Sequence, residues 1–299
     1  MDFEEFVEVS IDYLKEKCKS DKTIEDNQDI IKPFSKLINN DDRSLIIIDG
    51  FKSQIINSGD YALLVSSGSE SRLTNSGANV QLASDGEYSK LTSSGEDSRL
   101  ISGGDSSQLT SSGYDSQLAS TGKNSQLVSS NGFSQLVSSG DDSQLVNTGN
   151  CSRLFSAGDS SQIASTGRAC YLVSSGIDSQ LASSGQESKL VSHGNYSQLA
   201  SSGDNSQLVS TGDCSILASS AGGSKLEIKG EGSVGANIGV NGIIKGVKGT
   251  WITLAEYKWD YDSKKLLCIC VKSSLIDGEI LKENVFYKLE NGEFVEVKD

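Results

Sequence analysis

The chain has 299 residues, including 31 glycines, one proline and only 6% aromatic residues, and its formal net charge at pH 7 is −14. This composition excludes a Pro-rich disordered chain and a conventional core built on aromatic side chains. The negative charge argues against a phosphate-backbone ligand, so we expect no direct nucleic-acid binding.

Residues 1–48 predict a helical N-terminal cap. An amphipathic pattern covers residues 2–18, and residues 27–39 predict a second helix that is interrupted near Pro33. Residues 45–48 predict the first strand, and a small docking domain is the alternative interpretation of the whole segment. The apolar stripe of the first helix consists of Phe3, Phe6, Val7, Ile11 and Leu14.

The N-terminus also bears on localisation. It lacks the basic region and the continuous apolar stretch of a signal peptide, and no run of the chain reaches the about 18 apolar residues of a membrane span. The six cysteines show no framework spacing. We therefore expect a reduced, cytoplasmic protein with no membrane partner.

Twenty consecutive nonapeptides run from residue 49 to residue 228, with the consensus S-G-x-[D/N]-S-Q-L-[A/V]-S. Counted from Asp49 as position 1, position 7 is Leu or Ile in all twenty repeats and position 2 is Gly in eighteen. Positions 5 to 9 alternate like a strand. The pattern predicts positions 5, 7 and 9 inside, positions 6 and 8 outside, and a turn at position 2 where Gly supplies a positive φ.

The coil length follows from a difference between odd-numbered and even-numbered repeats. Position 1 is always Ser or Thr in even-numbered repeats but varies in odd-numbered ones. Two nonapeptides, and not three, therefore form one coil. This predicts an all-β, two-sided β-solenoid of 18-residue coils over residues 49–246, regular to residue 228 and about 48 Å long at about 4.8 Å per coil.

Residues 247–299 predict a small antiparallel β module that caps the solenoid. The stretch KLLCICVKSSLI predicts a strand with Cys268 and Cys270 on one face, and Asn291-Gly292 predicts a type I′ hairpin. Trp251, Tyr257 and Trp259 are expected to form the small core of this module.

The repeat resembles two known families. It resembles the RTX nonapeptide, whose Asp before the inward aliphatic residue ligates Ca²⁺, but that place is position 5 and holds Ser here. It is also similar to bacterial ice-nucleation repeats, but the outward positions carry mostly Gln and Ala or Val instead of Thr rows. We therefore expect neither a calcium stack nor ice binding, and no metal.

The C-terminal module carries a third resemblance. Its motifs are similar to those of uncharacterised phage and prophage proteins in which a repetitive solenoid is closed by such a module. The resemblance implies a phage context and no defined activity. The matching residues are Gly249-Thr250-Trp251-Ile252, Leu254, Glu256, Asp277-Gly278-Glu279 and Phe286-Tyr287-Lys288-Leu289.

No motif predicts catalysis or a cofactor. The single histidine, His193, occupies a variable turn position, and the formal G-x-G-x-x-G match at residues 230–235 lacks the strand-to-helix frame of a nucleotide site. We expect a non-enzymatic protein without cofactor or metal.

The outward positions give the functional expectation. Odd-numbered repeats carry a ladder of glutamines at position 6, whereas even-numbered repeats carry a more apolar column at position 8. An exposed apolar strip predicts an interaction surface, so we expect a rigid rod that forms a homodimer, or docks a partner, through the even-repeat face. The residues assigned to this face are Ile101, Val137, Phe155, Val173 and Val191.

Two alternatives remain open. One is a phage anti-defence inhibitor of host proteins, which mimics DNA with its acidic turns. The other is a sequestering binder of a small molecule such as a nucleotide signal.

Overall fold

The computed structural model describes residues 36–297, and every regular element in this range is a β-strand. The helix expected over residues 2–18 and most of the one expected over 27–39 lie outside the described residues. The chain divides into two compact units at Gly158/Asp159. Both are two-sheet β-solenoids of 18-residue coils, which confirms the predicted fold class.

The first unit alternates between two parallel sheets, and each strand pairs with the equivalent strand of the adjacent coil. We call them the odd-repeat and even-repeat sheets, after the repeats that supply them. The odd-repeat sheet holds β1 (Lys36–Asn39), β3 (Gln54–Asn57), β5 (Arg72–Asn75), β7 (Lys90–Ser93), β9 (Gln108–Ser111), β11 (Gln126–Ser129) and β13 (Gln144–Asn147). The even-repeat sheet holds β2 (Leu45–Ile48), β4 (Leu63–Ser66), β6 (Gln81–Ser84), β8 (Arg99–Ser102), β10 (Gln117–Ser120), β12 (Gln135–Ser138) and β14 (Arg153–Ser156).

The solenoid starts before the predicted boundary at residue 49. Residues 36–39 were expected at the end of a helix, but they form β1 and pair in parallel with β3. Residues 40–48 form a full repeat, with Arg43 at position 4 in the same positive-φ conformation (57°) as its counterparts. The sequence signal was weak because Asp41 stands where most repeats have Gly.

The second unit continues the pattern and ends in antiparallel hairpins, as predicted. Its odd-repeat sheet holds β15 (Gln162–Ser165), β17 (Gln180–Ser183), β19 (Gln198–Ser201), β21 (Ile216–Ser219), β23 (Val234–Asn237), β25 (Trp251–Asp260) and β26 (Lys265–Leu275). Its even-repeat sheet holds β16 (Tyr171–Ser174), β18 (Lys189–Ser192), β20 (Gln207–Ser210), β22 (Lys225–Ile228), β24 (Ile243–Lys245), β27 (Tyr287–Glu290) and β28 (Glu293–Glu296).

The parallel coils persist into the first residues of β25 although the consensus fades after residue 228. Gly235 occupies the Leu position, and a side chain there would overlap the Cδ1 atoms of Ile228 and Ile244. These two isoleucines therefore fill the space that a position-7 Leu fills elsewhere.

Each coil is filled by one layer of aliphatic side chains flanked by serines. The position-7 residues are fully buried, and so are the serines of positions 5 and 9, which confirms the predicted facing. Many of these hydroxyls bond across the turn: Ser111 Oγ donates to Ser116 Oγ at 2.7 Å, and Ser116 Oγ donates to the Gly113 carbonyl at 3.0 Å. The Oγ atoms of Ser102, Ser219 and Ser224 are buried without a hydrogen-bond partner. Asn39, Asn57 and Asn75 replace Ser in successive coils, and their amides stack: Asn57 Nδ2 donates to Asn75 Oδ1 at 2.8 Å.

The turns correct the predicted role of glycine. Positive φ falls on position 4 and not on position 2, which explains the frequent Asp or Asn at position 4, such as Asp97 (φ 53°) and Asn124 (φ 54°). Gly is needed at position 2 because successive coils approach closely there. A Cβ on Gly113 would overlap the carbonyl oxygen of Gly95, the equivalent residue of the preceding coil.

Candidate interaction surfaces

The column predicted as the interaction face is in register within each unit. In the first unit Ile101 pairs beside Ala119, and Val137 pairs beside Phe155; in the second, Val173 pairs beside Val191. These side chains share the outer face of the even-repeat sheet because they all stand at position 8.

Accessibility along this column is uneven. Phe155 is 39% exposed and Ile101 and Val137 are half-buried, but Val173 and Val191 are only 4% and 7% exposed. Long neighbours at position 6 flank the valines, with Lys189 Nζ lying 5.6 Å from the ring centroid of Tyr171. The expectation of a continuously wet apolar column is therefore wrong for Val173 and Val191. Whether the column is an interface stays a prediction.

The position-8 column of the second unit ends in charges. Val209 pairs beside Glu227, and Glu227 pairs beside Lys245. The Glu227 carboxylate lies 3.0 Å from Lys245 Nζ and 3.1 Å from Lys229 Nζ. Partial burial raises the pKa of Glu227, but the hydrogen bonds from Lys245 and Lys229 outweigh it and hold the pKa below the ordinary glutamate value. An apolar partner strip does not extend past Val209.

The odd-repeat sheet changes character along the second unit. Its outer position-6 ladder of glutamines, from Gln162 to Gln198, gives way to apolar side chains on the next strands. Ile216, Val234 and Trp251 are neighbours in this column, and Leu275 of β26 pairs beside Trp251. All four side chains are exposed. This surface was not predicted, although the loss of Gln at position 6 is visible in the sequence.

The two tryptophans lie on this outer surface and not in a core. Trp251 is 52% exposed and Trp259 is 47% exposed. The register explains it: β23 pairs Gly235 with Ile252 and Asn237 with Leu254, so Ile252 and Leu254 continue the inward positions and Trp251 points outward. The core of the C-terminal module is aliphatic with buried aromatic rings instead. It consists of Ile252, Leu254, Ile276, Leu281, Phe286, Tyr287 and Leu289.

A register shift separates the two cysteines that were expected on one face. Cys268 pairs beside Tyr257 and Cys270 beside Glu256, with the irregularity between these two β25 neighbours. Adjacent residues of a strand point to opposite faces, so the thiols do too. Cys268 is exposed and Cys270 is half-buried.

A polar groove follows the edge of the even-repeat sheet in the first unit. It has a volume of about 530 Å³ and combines turn residues of position 4 with strand residues of position 6. It offers hydrogen-bonding groups of both charges and little apolar surface. The lining residues are Tyr61, Asn79, Gln81, Asp97, Arg99, Asp115 and Gln117.

Several candidate chemical groups have structural roles in the turns. His193 is exposed, and its Nδ1 lies 2.9 Å from Thr211 Oγ1. Turn aspartates at position 3 accept backbone hydrogen bonds from the next coil, as Asp105 Oδ1 does from Lys123 N at 2.8 Å. Within residues 36–297 no cluster of three or more His, Cys, Asp or Glu side chains is arranged to hold a metal ion.

The fold and its surfaces define the class of this chain as a two-sheet β-solenoid repeat protein. No helix in the described part of the chain is long and apolar enough to cross a membrane. Comparisons with protein-family models, with curated proteins and with solved structures found no match.

Proposed function

We propose that this protein is a non-enzymatic interaction scaffold that docks a macromolecular partner on the outer face of its even-repeat sheet. The observation that supports it is the placement of Phe155, a large apolar side chain exposed on a flat strand face beside Val137. The interior is filled by Leu and Ser, which leaves the outer columns as the variable surface. Exposed apolar side chains in register on a rigid sheet suit protein recognition.

The cellular setting is part of the same proposal. The C-terminal motifs that resemble those of phage and prophage proteins support a phage origin. The exposed thiols of Cys151, Cys214 and Cys268 agree with a reducing, cytoplasmic environment. Binding of a host protein, including an anti-defence role, fits this setting.

The DNA-mimic alternative is weaker because turn carboxylates such as Asp105 are used to hold the next coil. The small-molecule alternative is favoured only by the groove near Arg99 and Tyr61, which places a guanidinium and an aromatic ring in one lining.

Affinity capture with matched variants tests the proposal. The even-repeat variant Ile101→Glu/Phe155→Glu is compared with the odd-repeat control Val128→Glu/Val146→Glu, whose side chains occupy the same position 8 on the other sheet. A host protein retained by the wild type and by the control, but lost with the even-repeat variant, is the expected result.

Equal retention by both variants would overturn the assigned face. A nucleotide found by native mass spectrometry and lost in an Arg99→Gln variant would replace the proposal with the small-molecule alternative.

A further inference from the structure

Strand β26 is an open, apolar sheet edge. Among the described residues it is the last strand of its sheet and pairs only with β25. It is eleven residues long, against four for most strands of the coils. Apolar side chains on it are exposed on both faces, and Val271 reaches 58%. They are Leu266, Leu267, Ile269, Val271 and Leu275.

Half of the backbone groups of β26 point away from its neighbour. Ile276 N donates to the Thr250 carbonyl at 2.9 Å, and the Ile276 carbonyl accepts from Gly249 N at 2.8 Å. Residues alternate in an antiparallel ladder, so Leu275, Ser273 and Val271 direct their N–H and C=O groups to the open side. Backbone groups of this kind are a template for one more strand.

The other terminal edge of the module is protected against such pairing. Strand β28 has four residues and begins and ends with glutamates. Both glutamates are held in ion pairs, Glu293 with Lys272 at 2.7 Å and Glu296 with Lys282 at 2.9 Å. Short length and charge are the devices by which sheet edges avoid pairing, and β26 has neither along residues 266–271.

We propose that β26 is the dimer interface of this protein, where it pairs antiparallel with β26 of a second copy about a two-fold axis at Ser273. This extends the proposed function by naming a partner, and it places that partner on an edge strand and not on the sheet face that carries Phe155. Antiparallel pairing of one strand with itself is isologous, so it closes as a dimer.

The register about Ser273 pairs two of the exposed apolar side chains across the interface. It sets Val271 of one copy opposite Leu275 of the other, so two apolar pairs form on the outer face beside Trp251. Lys272 falls opposite Ser274, so no like charges meet directly. Pairing of the outward-directed residues forms about six backbone hydrogen bonds, within the range of ordinary interfaces.

Light scattering of the full chain tests the oligomeric state. Wild type is expected to be a dimer at micromolar concentration. Val271→Pro removes an N–H that points to the partner but none that bonds to β25, so it should run as a monomer with an unchanged circular dichroism spectrum. Val271→Lys/Leu275→Lys gives the same test should the proline variant fold poorly. Val295→Lys, on β28, is the matched control and should stay dimeric.

Cross-linking tests the two-fold axis. In the proposed register the two Ser273 Cα atoms lie about 5.5 Å apart, within reach of a disulfide. Oxidised Ser273→Cys should form a covalent dimer in excess of wild type. Thr253→Cys, one strand away on the same face, should not.

A wild type that is monomeric at high micromolar concentration would overturn the proposal, and so would β26 variants that dimerise like wild type. A monomeric Val295→Lys with dimeric β26 variants would move the interface to β28. None of these outcomes alters partner capture through Phe155, so the two proposals fail independently.

Discussion

The strands of the parallel coils and those of the two terminal hairpins differ in how many of their edges are paired. Inside each unit a coil strand is paired on both sides with the equivalent strands of neighbouring coils, and the same residue type recurs at each place. In the hairpins the chain turns back, and pairing stops at β26 and β28. Each coil strand is therefore fixed from both sides, whereas β26 and β28 have a strand neighbour on one side only among the described residues.

The coils and the hairpins also differ in what decides whether a side chain points inward or outward. In the coils the direction of a side chain follows from its position in the nonapeptide. In the β25–β26 hairpin it follows from the register of antiparallel pairing and from the irregularity beside Glu256 and Tyr257. The same period-2 alternation holds in both, but only the coils repeat it often enough to be read without a structure.

The largest effect is expected from a side chain added at position 2, where the backbones of successive coils lie close together. Gly113→Ala places a methyl group against the Gly95 carbonyl and should lower the free energy of unfolding by about 3 kcal/mol, because the backbones of two coils must separate. Urea denaturation measures it.

The control is Gly132→Ala, one position later in its repeat, where the added Cβ meets nothing nearer than the Asn150 carbonyl at 3.2 Å. It should cost under about 1 kcal/mol. Equal losses in the two variants would mean that glycine is selected for flexibility and not for the approach of coils.

The hairpin side is tested by a pair of adjacent residues. Ile252→Thr places a hydroxyl in the core and should lower the free energy of unfolding by about 2 kcal/mol. Trp251 is half-exposed on the outer face, so Trp251→Thr should lower it by under about 1 kcal/mol. Thermal melts of the two variants compare them directly. A larger loss of stability with Trp251→Thr would indicate that Trp251 is buried in a core, and it would contradict the register of β23 with β25.

The smallest expected effect lies where coils and hairpins meet, at Glu227. Its pKa is lowered in the folded state, so its ion pairs stabilise the fold above the ordinary glutamate pKa, and this stabilisation is lost as the pH falls through the lowered value. Glu227→Gln should therefore cost under about 1 kcal/mol at neutral pH and nothing in acid.

Melting temperatures across the acidic range measure this difference. Glu96→Gln, which removes one exposed turn carboxylate, is the charge-matched control and should show no comparable convergence with wild type. Parallel curves for wild type and Glu227→Gln at every pH would contradict the role of the Lys245 and Lys229 pairs.

Much of the fold could be predicted because twenty repeats report the same environment. The alternation of the repeat predicted that Leu145 and Ser143 lie inside and Gln144 outside. The difference between odd-numbered and even-numbered repeats at position 1 predicted the coil length. The cause of the glycine requirement could not be predicted, because a carbonyl of the preceding coil, distant in sequence, creates it.

The surfaces were harder to predict than the core. Val173 and Val191 stand at the same repeat position as the more exposed Phe155, so their burial depends on the packing of neighbouring side chains, and a sequence pattern does not contain that information. The open edge of β26 depends on which strand comes last. The stretch KLLCICVKSSL shows a strand but not its lack of a second neighbour.

The pairing of each coil strand with its equivalent in the next coil also sets a rule for how the gene can change length. If a whole coil of 18 residues within the first unit is lost or gained, each strand still pairs with a strand from the same kind of repeat, odd-numbered or even-numbered. Loss of one nonapeptide between Ile101 and Val137 would move the later repeats of this unit onto the opposite sheet, so Val137 and Phe155 would leave the column of Ile101. The outer columns of the first unit are therefore kept only when nonapeptides are lost or gained in pairs.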